Sequence, residues 1–215
     1  MEVEAMGLRV LFCSTNSVRH LFPLAAFARE VRRKGHTAGF LATPGMAGLL
    51  RGEEADVLGL GAGPGGLVDD TAVRGCGPDR MEDTATWFGG ERVDRFLDAA
   101  IARVAEWRPD LVVHEMHDLV GSAAAAALSV PAATLSTGPA ITGPIADLMH
   151  RTLDDRCARR GIPLPAVAPG YDIKGWYLDT CPPSLQVEGW TSTQEVLPLR
   201  PGQYRARPAP RRSAA

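Results

Sequence analysis

One histidine in this sequence stands where an imidazole could act as a base. His20 lies in STNSVRHLFPLAAFARE (14–30), three residues before Pro23, where an apolar run gives way to an amphipathic stretch. A neutral imidazole held within about 3 Å of a hydroxyl can take its proton as that oxygen attacks. The plainer alternative is a surface residue near a helix N-terminus, where amide dipoles disfavour the imidazolium without making the ring catalytic. A second histidine-bearing stretch, HEMH (114–117), has the spacing H-E-x-H and not H-E-x-x-H. Its two rings would not share a helical face, so no metal site is expected, and His114 should lie against the core or a cleft floor. Gly61, Gly63 and Gly66 of GAGPGG satisfy G-x-G-x-x-G, but the acidic, glycine-broken LVDDTAVRGCGPDR follows. That is a loop and not the helix a dinucleotide fingerprint requires, so no cofactor-binding motif is assigned. Cys13, Cys76, Cys157 and Cys181 are widely separated and form no C-x-x-C pair. Reduced thiols are expected, without metal or redox work.

These side chains need elements to hold them. LRVLFC (8–13) reads as a buried parallel strand. After it, Leu24, Phe27, Ala28 and Val31 recur at i, i+3, i+4 and i+7, predicting a helix from Pro23, with Gly35 as its stop. TAGFLAT (37–43) follows as a second strand, so the unit is strand, helix, strand with a right-handed crossover. DVLGL (56–60) is a third strand. Residues 61–90 read as looser, glycine-rich chain. ERVDRFLDAAIARVAEW (91–107) predicts a helix and PDLVVHE (109–115) a strand. LVGSAAAAALS (119–129) predicts a helix of small side chains for close packing on a sheet. VPAATLST (130–137) predicts a strand, and AITGPIADLMHRTLDDRCARRG a long helix before Gly161. One last short strand is expected within DTCPPSLQVEG. Strands alternating with helices imply one α/β, Rossmann-like doubly wound parallel sheet. The domain is expected over 1–200, and the Pro- and Arg-rich residues 201–215 read as a disordered tail.

Length and composition agree. A chain of 215 residues can bury a core without a metal or disulfide staple. With 45% hydrophobic and 22% charged residues and a net charge of −2, nothing pulls it toward nucleic acid or anionic lipid. No apolar run approaches 18 residues, and the acidic MEVEAM start lacks a signal-peptide layout, so a cytoplasmic protein without a membrane span is expected.

Several stretches, in order, resemble the N-terminal, acceptor-binding half of family 1, GT-B fold glycosyltransferases, nearest to bacterial enzymes that glycosylate polyketide and other natural-product aglycones. RHLFPLAAFAREVRRKGH resembles the family's first loop and helix, with H-x-x-P and a downstream G-H. WRPDLVVHE and GSAAAAALSVPAATLSTGP resemble its fourth strand, next helix and next strand. LDTCPPSLQ with LPLRP resembles the end of the acceptor domain. The resemblance covers roughly residues 8–201 and implies that His20 matches the catalytic general base. It also implies an orienting carboxylate after the fourth strand, for which Glu115 ranks ahead of Asp118. Acceptor contacts are implied for Asn16, Phe22, Met81, Trp87, Phe88 and Met149, with ordinary core the competing reading for Met81, Trp87, Phe88 and Met149.

The family's second half, which carries the nucleotide-sugar donor, has no counterpart in this stretch. The chain is therefore expected to be incomplete as an enzyme. It would use a nucleotide-activated sugar as co-substrate only with a donor domain supplied in trans. Its implied partners are a hydrophobic hydroxylated aglycone, a donor-domain protein, or a second copy of itself. The rival readings are a stand-alone small-molecule binding or repurposed protein of a secondary-metabolite pathway, and a truncated, non-functional remnant.

Overall fold

A computed structural model describes residues 7–50, 53–60, 78–164, 175–192 and 194–202. The glycine motif at 61–66, Cys76 and the tail beyond 202 lie outside the described residues, as does the side chain of Met81. Seven strands form one parallel sheet: β1 (Arg9–Cys13), β2 (Thr37–Ala42), β3 (Asp56–Gly59), β4 (Leu111–Glu115), β5 (Ala132–Leu135), β6 (Gly175–Asp179) and β7 (Glu195–Pro198). Their order is β3-β2-β1-β4-β5-β6-β7. The chain therefore winds outward from β1 in one direction and outward from β4 in the other. The reversal falls between β1 and β4, which pair with Phe12 opposite Val113 and Cys13 opposite His114. In open parallel sheets this switch point leaves a crevice at the carboxyl ends of the strands.

Two cores flank the sheet. On one face, Val10, Phe12, Phe40, Val113, Ala133 and Leu135 pack beneath helix α1 (Val18–Arg33), which contributes Leu21, Leu24, Ala25, Ala28 and Val31. The short helix α2 (Pro44–Ala47) follows β2. On the other face, Leu11, Cys13, Val112 and Ala132 meet the remaining helices. These are α3 (Pro78–Ala85), α4 (Arg92–Trp107), α5 (Leu119–Ala127) and α6 (Gly143–Ala158). The alternation of side chains along a strand separates the two sets, and a one-residue slip would exchange them.

Helix α1 starts at Val18, one turn before the expected Pro23. The Ser17 carbonyl accepts the first helical bonds from His20 and Leu21, so His20 lies inside the first turn. Pro23 sits in the helix without an N–H to donate. The buried Leu21, Leu24 and Val31 of α1, each worth about 1.5–3 kcal/mol when fully buried, outweigh that one missing bond.

The stretch expected to be loose is helical through its described part. After α3, a π-helical segment (Thr86–Glu91) leads directly into α4. Gly89 and Gly90 read as breakers in the sequence, yet they serve a helix crossing. A Cβ on Gly89 would stand 2.6 Å from the Met149 carbonyl oxygen of α6, so only glycine allows that approach. The last sheet strands also differ from expectation. DTCPPSLQVEG carries a 3₁₀ turn (Pro183–Leu185), and the strand lies just before it as β6. β7 was not expected at all. It is short and exposed along its whole length, and it extends the parallel ladder from β6.

The alanine-rich α5 lies close on β1, as its small side chains require. A Cβ on Gly121 would meet Cys13 Cβ at 2.5 Å and Asp118 Oδ2 at 2.7 Å. Gly121→Ala is expected to lower unfolding stability by about 1–3 kcal/mol through overpacking, measured by urea denaturation.

Candidate active site

The site lies at the switch point. Along β4, Val113 faces the α1 side of the sheet and Val112 the other side. Two residues beyond Val113, at the strand's end, Glu115 faces α1 as well. His20, in the first turn of α1, directs Nδ1 to Glu115 Oε2 at 2.8 Å. Glu115 has no exposed surface. Its Oε2 also accepts from the backbone N–H of His117 at 2.9 Å and from His117 Nδ1 at 3.3 Å, and its Oε1 accepts from the Thr15 N–H at 3.3 Å. Burial alone would raise the carboxyl's pKa. The bonds and charges of His117 and His20 outweigh it and hold Glu115 well below the usual carboxylate range. A carboxylate can only accept, so neutral His20 carries its proton on Nδ1 and its basic nitrogen is Nε2.

Asp118 is engaged elsewhere. It is the N-cap of α5, accepting from the Gly121 N–H at 3.1 Å, and it pairs with Arg92 Nη2 of α4 at 3.2 Å on the opposite side of the sheet. Burial raises its pKa to about 6, opposed by Arg92 and reinforced by the Glu115 charge. Of the two carboxylates offered by the sequence, Glu115 is the one the fold places against His20. The pairing of Asp118 with Arg92 was not anticipated. Its signal was a cation four residues before Phe96, on the apolar face of α4, where it is buried to 1% exposure.

His114 is buried on the other face of β4. Its Nδ1 donates to the Glu115 carbonyl at 3.2 Å and its Nε2 accepts from Thr134 Oγ1 at 3.2 Å. Burial lowers its pKa to about 4, so it is neutral and structural, matching the core placement read from the sequence. His117 is the residue the sequence reading missed. Its ring lies 4.8 Å from that of His20, edge to face, and 5.4 Å from Phe88. It lies in the turn after β4, past the end of the strand's alternation, so local spacing did not place its side chain at this mouth.

The acceptor-side candidates are scattered. Phe88, in the π-helical segment, touches His117 and so borders the cluster. Trp87 is half-buried against the α3–α6 core. Met149 is wholly buried in that core and presents no surface to a ligand. Phe22 packs against the core on the α1 side. Asn16 Oδ1 accepts from Thr43 Oγ1 at 2.7 Å and ties the loop after β1 to the end of β2. A groove of about 460 Å³ opens beside α1 at the ends of the right-hand strands, lined by Phe27, Leu135, Thr180, Leu199 and Pro201 among others. It is apolar, and none of His20, Glu115 or His117 lines it.

The sequence model of the family described as erythromycin biosynthesis protein CIII-like, N-terminal domain, matches residues 80–205, more than half of the chain. The chain belongs to that family. Among curated relatives it is 30% identical to the L-demethylnoviosyl transferase of Streptomyces niveus over 207 residues, covering 90% of this chain and 49% of the relative. It is also 30% identical to the 3-alpha-mycarosylerythronolide B desosaminyl transferase of Saccharopolyspora erythraea over 163 residues, 63% of this chain and 38% of the relative. The chain thus spans about half the length, or less, of these relatives. Among solved structures, the glycosyltransferase SnogD from Streptomyces nogalater superposes with a TM-score of 0.70 at 24% identity, over 94% of this chain and 54% of that one. The spinosyn rhamnosyltransferase SpnG gives 0.68 at 23% identity, over 92% and 52%. The fold is that of the N-terminal half of a GT-B glycosyltransferase. Among the described residues no helix is long and apolar enough to cross a membrane.

Arg92→Met is expected to cost about 3–5 kcal/mol at pH 8, because it leaves an ionised Asp118 buried without its cation. Adding Asp118→Asn, which keeps an acceptor for the α5 cap, should recover part of that loss. Paired urea denaturation curves measure both.

Proposed function

We propose that this chain forms the acceptor side of a natural-product glycosyltransferase, with His20 as general base. The observation that carries the reading is the 2.8 Å contact between His20 and a buried, ionised Glu115 at the switch point of the sheet. In the proposed step, Nε2 of His20 takes the proton of an acceptor hydroxyl while that oxygen attacks the anomeric carbon of an activated sugar. The bond from that carbon to the nucleotide diphosphate breaks, and the diphosphate leaves with the electron pair. Glu115 fixes the ring and its tautomer, and its charge stabilises the imidazolium that forms, the role a carboxylate plays beside histidine in acyl-transfer triads.

The acceptor, on this reading, is a hydrophobic hydroxylated aglycone, the class suggested by the transferases to which the chain is similar. Phe88, whose ring lies 5.4 Å from that of His117, and its neighbour Trp87 in the π-helical segment are the proposed apolar contacts. Charge developing on the leaving diphosphate needs donors of its own. The reading assigns those to a donor-binding half, corresponding to the length of the relatives that this chain does not span.

The test combines this chain with a donor-binding half from a relative, nucleotide sugar and a panel of polyketide-like aglycones, in the presence of a chelator. Glycoside formation is followed by mass spectrometry. Product is expected with the pair and with neither half alone. No product with any pairing counts against the reading. His20→Ala should reduce turnover by about 100-fold or more, within the range for a positioned base. Glu115→Gln keeps the shape but removes the charge, and should lower kcat more than it raises KM.

A further inference from the structure

We propose that His20, Glu115 and His117 form a binding site for a divalent transition-metal ion of the Zn²⁺ class, and that the metal occupies the nitrogen-and-carboxylate set on which the base depends. The donor atoms of the three side chains lie within 4.8 Å of one another. Two of the separations are 2.8 Å and 3.3 Å, both to Glu115 Oε2. An ion about 2.0–2.2 Å from nitrogen and oxygen ligands spans ligand pairs by about 2.9–3.4 Å at angles near 90–110°. The two measured edges already match that span within a few tenths of an ångström. The third lies within 4.8 Å, between two imidazoles that are 21% and 26% exposed.

The chemistry of the set selects the ion. Two imidazoles and one carboxylate suit zinc and its neighbours, whereas magnesium and calcium take oxygen ligands. Three protein ligands leave a further position for water or an oxygen ligand, the layout of an open site and not of a closed structural one. Each neutral ring must move its proton from Nδ1 to Nε2 to expose a lone pair, a tautomer change with no net proton release. An outer shell is in place as well, since the N–H groups of Thr15 and His117 fix the two carboxylate oxygens. From HEMH the sequence led to an expectation of no metal site, because its two histidines would not share one helical face. This set draws its ligands from a helix start, a strand end and the loop after it.

With both Nδ1 atoms and Oε2 committed to a metal, Glu115 no longer orients His20 through a hydrogen bond. Metal loading therefore opposes the base role proposed above, and the two roles alternate at one site.

The experiment uses the full chain, purified without a histidine tag and stripped with chelator. Co²⁺ is titrated and followed by visible absorption, and Zn²⁺ is titrated by calorimetry. One ion per chain is expected, with the strong visible bands of four- or five-coordinate Co²⁺ and no near-ultraviolet thiolate band. His117→Ala and His20→Ala, both at partly exposed rings and checked for folding by circular dichroism, should each weaken Co²⁺ affinity by more than the roughly 10–100-fold that loss of an outer-shell partner costs. The inference is overturned if no Co²⁺ binds, if a thiolate band shows that cysteine holds the metal, or if either variant binds as tightly as the unaltered chain. No sugar or acceptor is present, so the outcome is independent of the transfer assay, which is run in chelator.

Discussion

The arrangement depends on a carboxylate that has no exposed surface and is nevertheless ionised. Burial of Glu115 works against its charge, and the side chains of His117 and His20 reverse that effect, while N–H donors from Thr15, His20 and His117 hold the two oxygens. Those donors come from the loop after β1, the start of α1 and the loop after β4, so the charge ties together the chain segments that diverge at the switch point. Removing one donor would leave part of a buried charge uncompensated, and such groups are costly to strand. The same interaction that holds His20 thus also joins these segments at the mouth of the sheet.

Close approach of the layers makes this geometry possible. Gly121 lets α5 lie against Cys13 of β1, and Gly89 lets the π-helical segment meet the backbone of α6. That second crossing carries Phe88, which in turn reaches His117. A glycine far from the histidines in sequence therefore helps decide what lies beside them. Arg92 and Asp118 form a separate buried pair on the other face, so two charge systems lie one strand apart, one against α1 and the other between α4 and α5.

Membership of the family and the GT-B half-fold give this pair a chemical context. The chain spans about half of each of the matching structures, and the base proposed here lies on that half. A base and an acceptor wall can be built on one α/β unit, while stabilisation of a leaving diphosphate calls for groups placed opposite it. Both edge strands of the sheet, β3 and β7, are short and largely exposed, and the apolar groove opens near the ends of β5, β6 and β7. The cluster of His20, Glu115 and His117 lies at the centre, where the winding reverses.

Sequence periodicity alone determined the alternation of strands and helices, the parallel sheet, the amphipathic faces of α1 and α4, and the small-residue helix α5. Each of these is a local pattern set by side-chain spacing, and each is visible within a single segment. His20 stood out through the junction it occupies, and the resemblance to the glycosyltransferase family added its motif and offered Glu115 or Asp118 as the carboxylate beside it. The choice between them was tertiary, because it turned on which face of β4 each residue follows and on the cation that α4 brings to Asp118. His117, the helical run through Gly89 and Gly90, and β7 were likewise decided only in three dimensions. Their partners lie tens of residues away, and no local spacing records a contact between segments that only the folded sheet brings together.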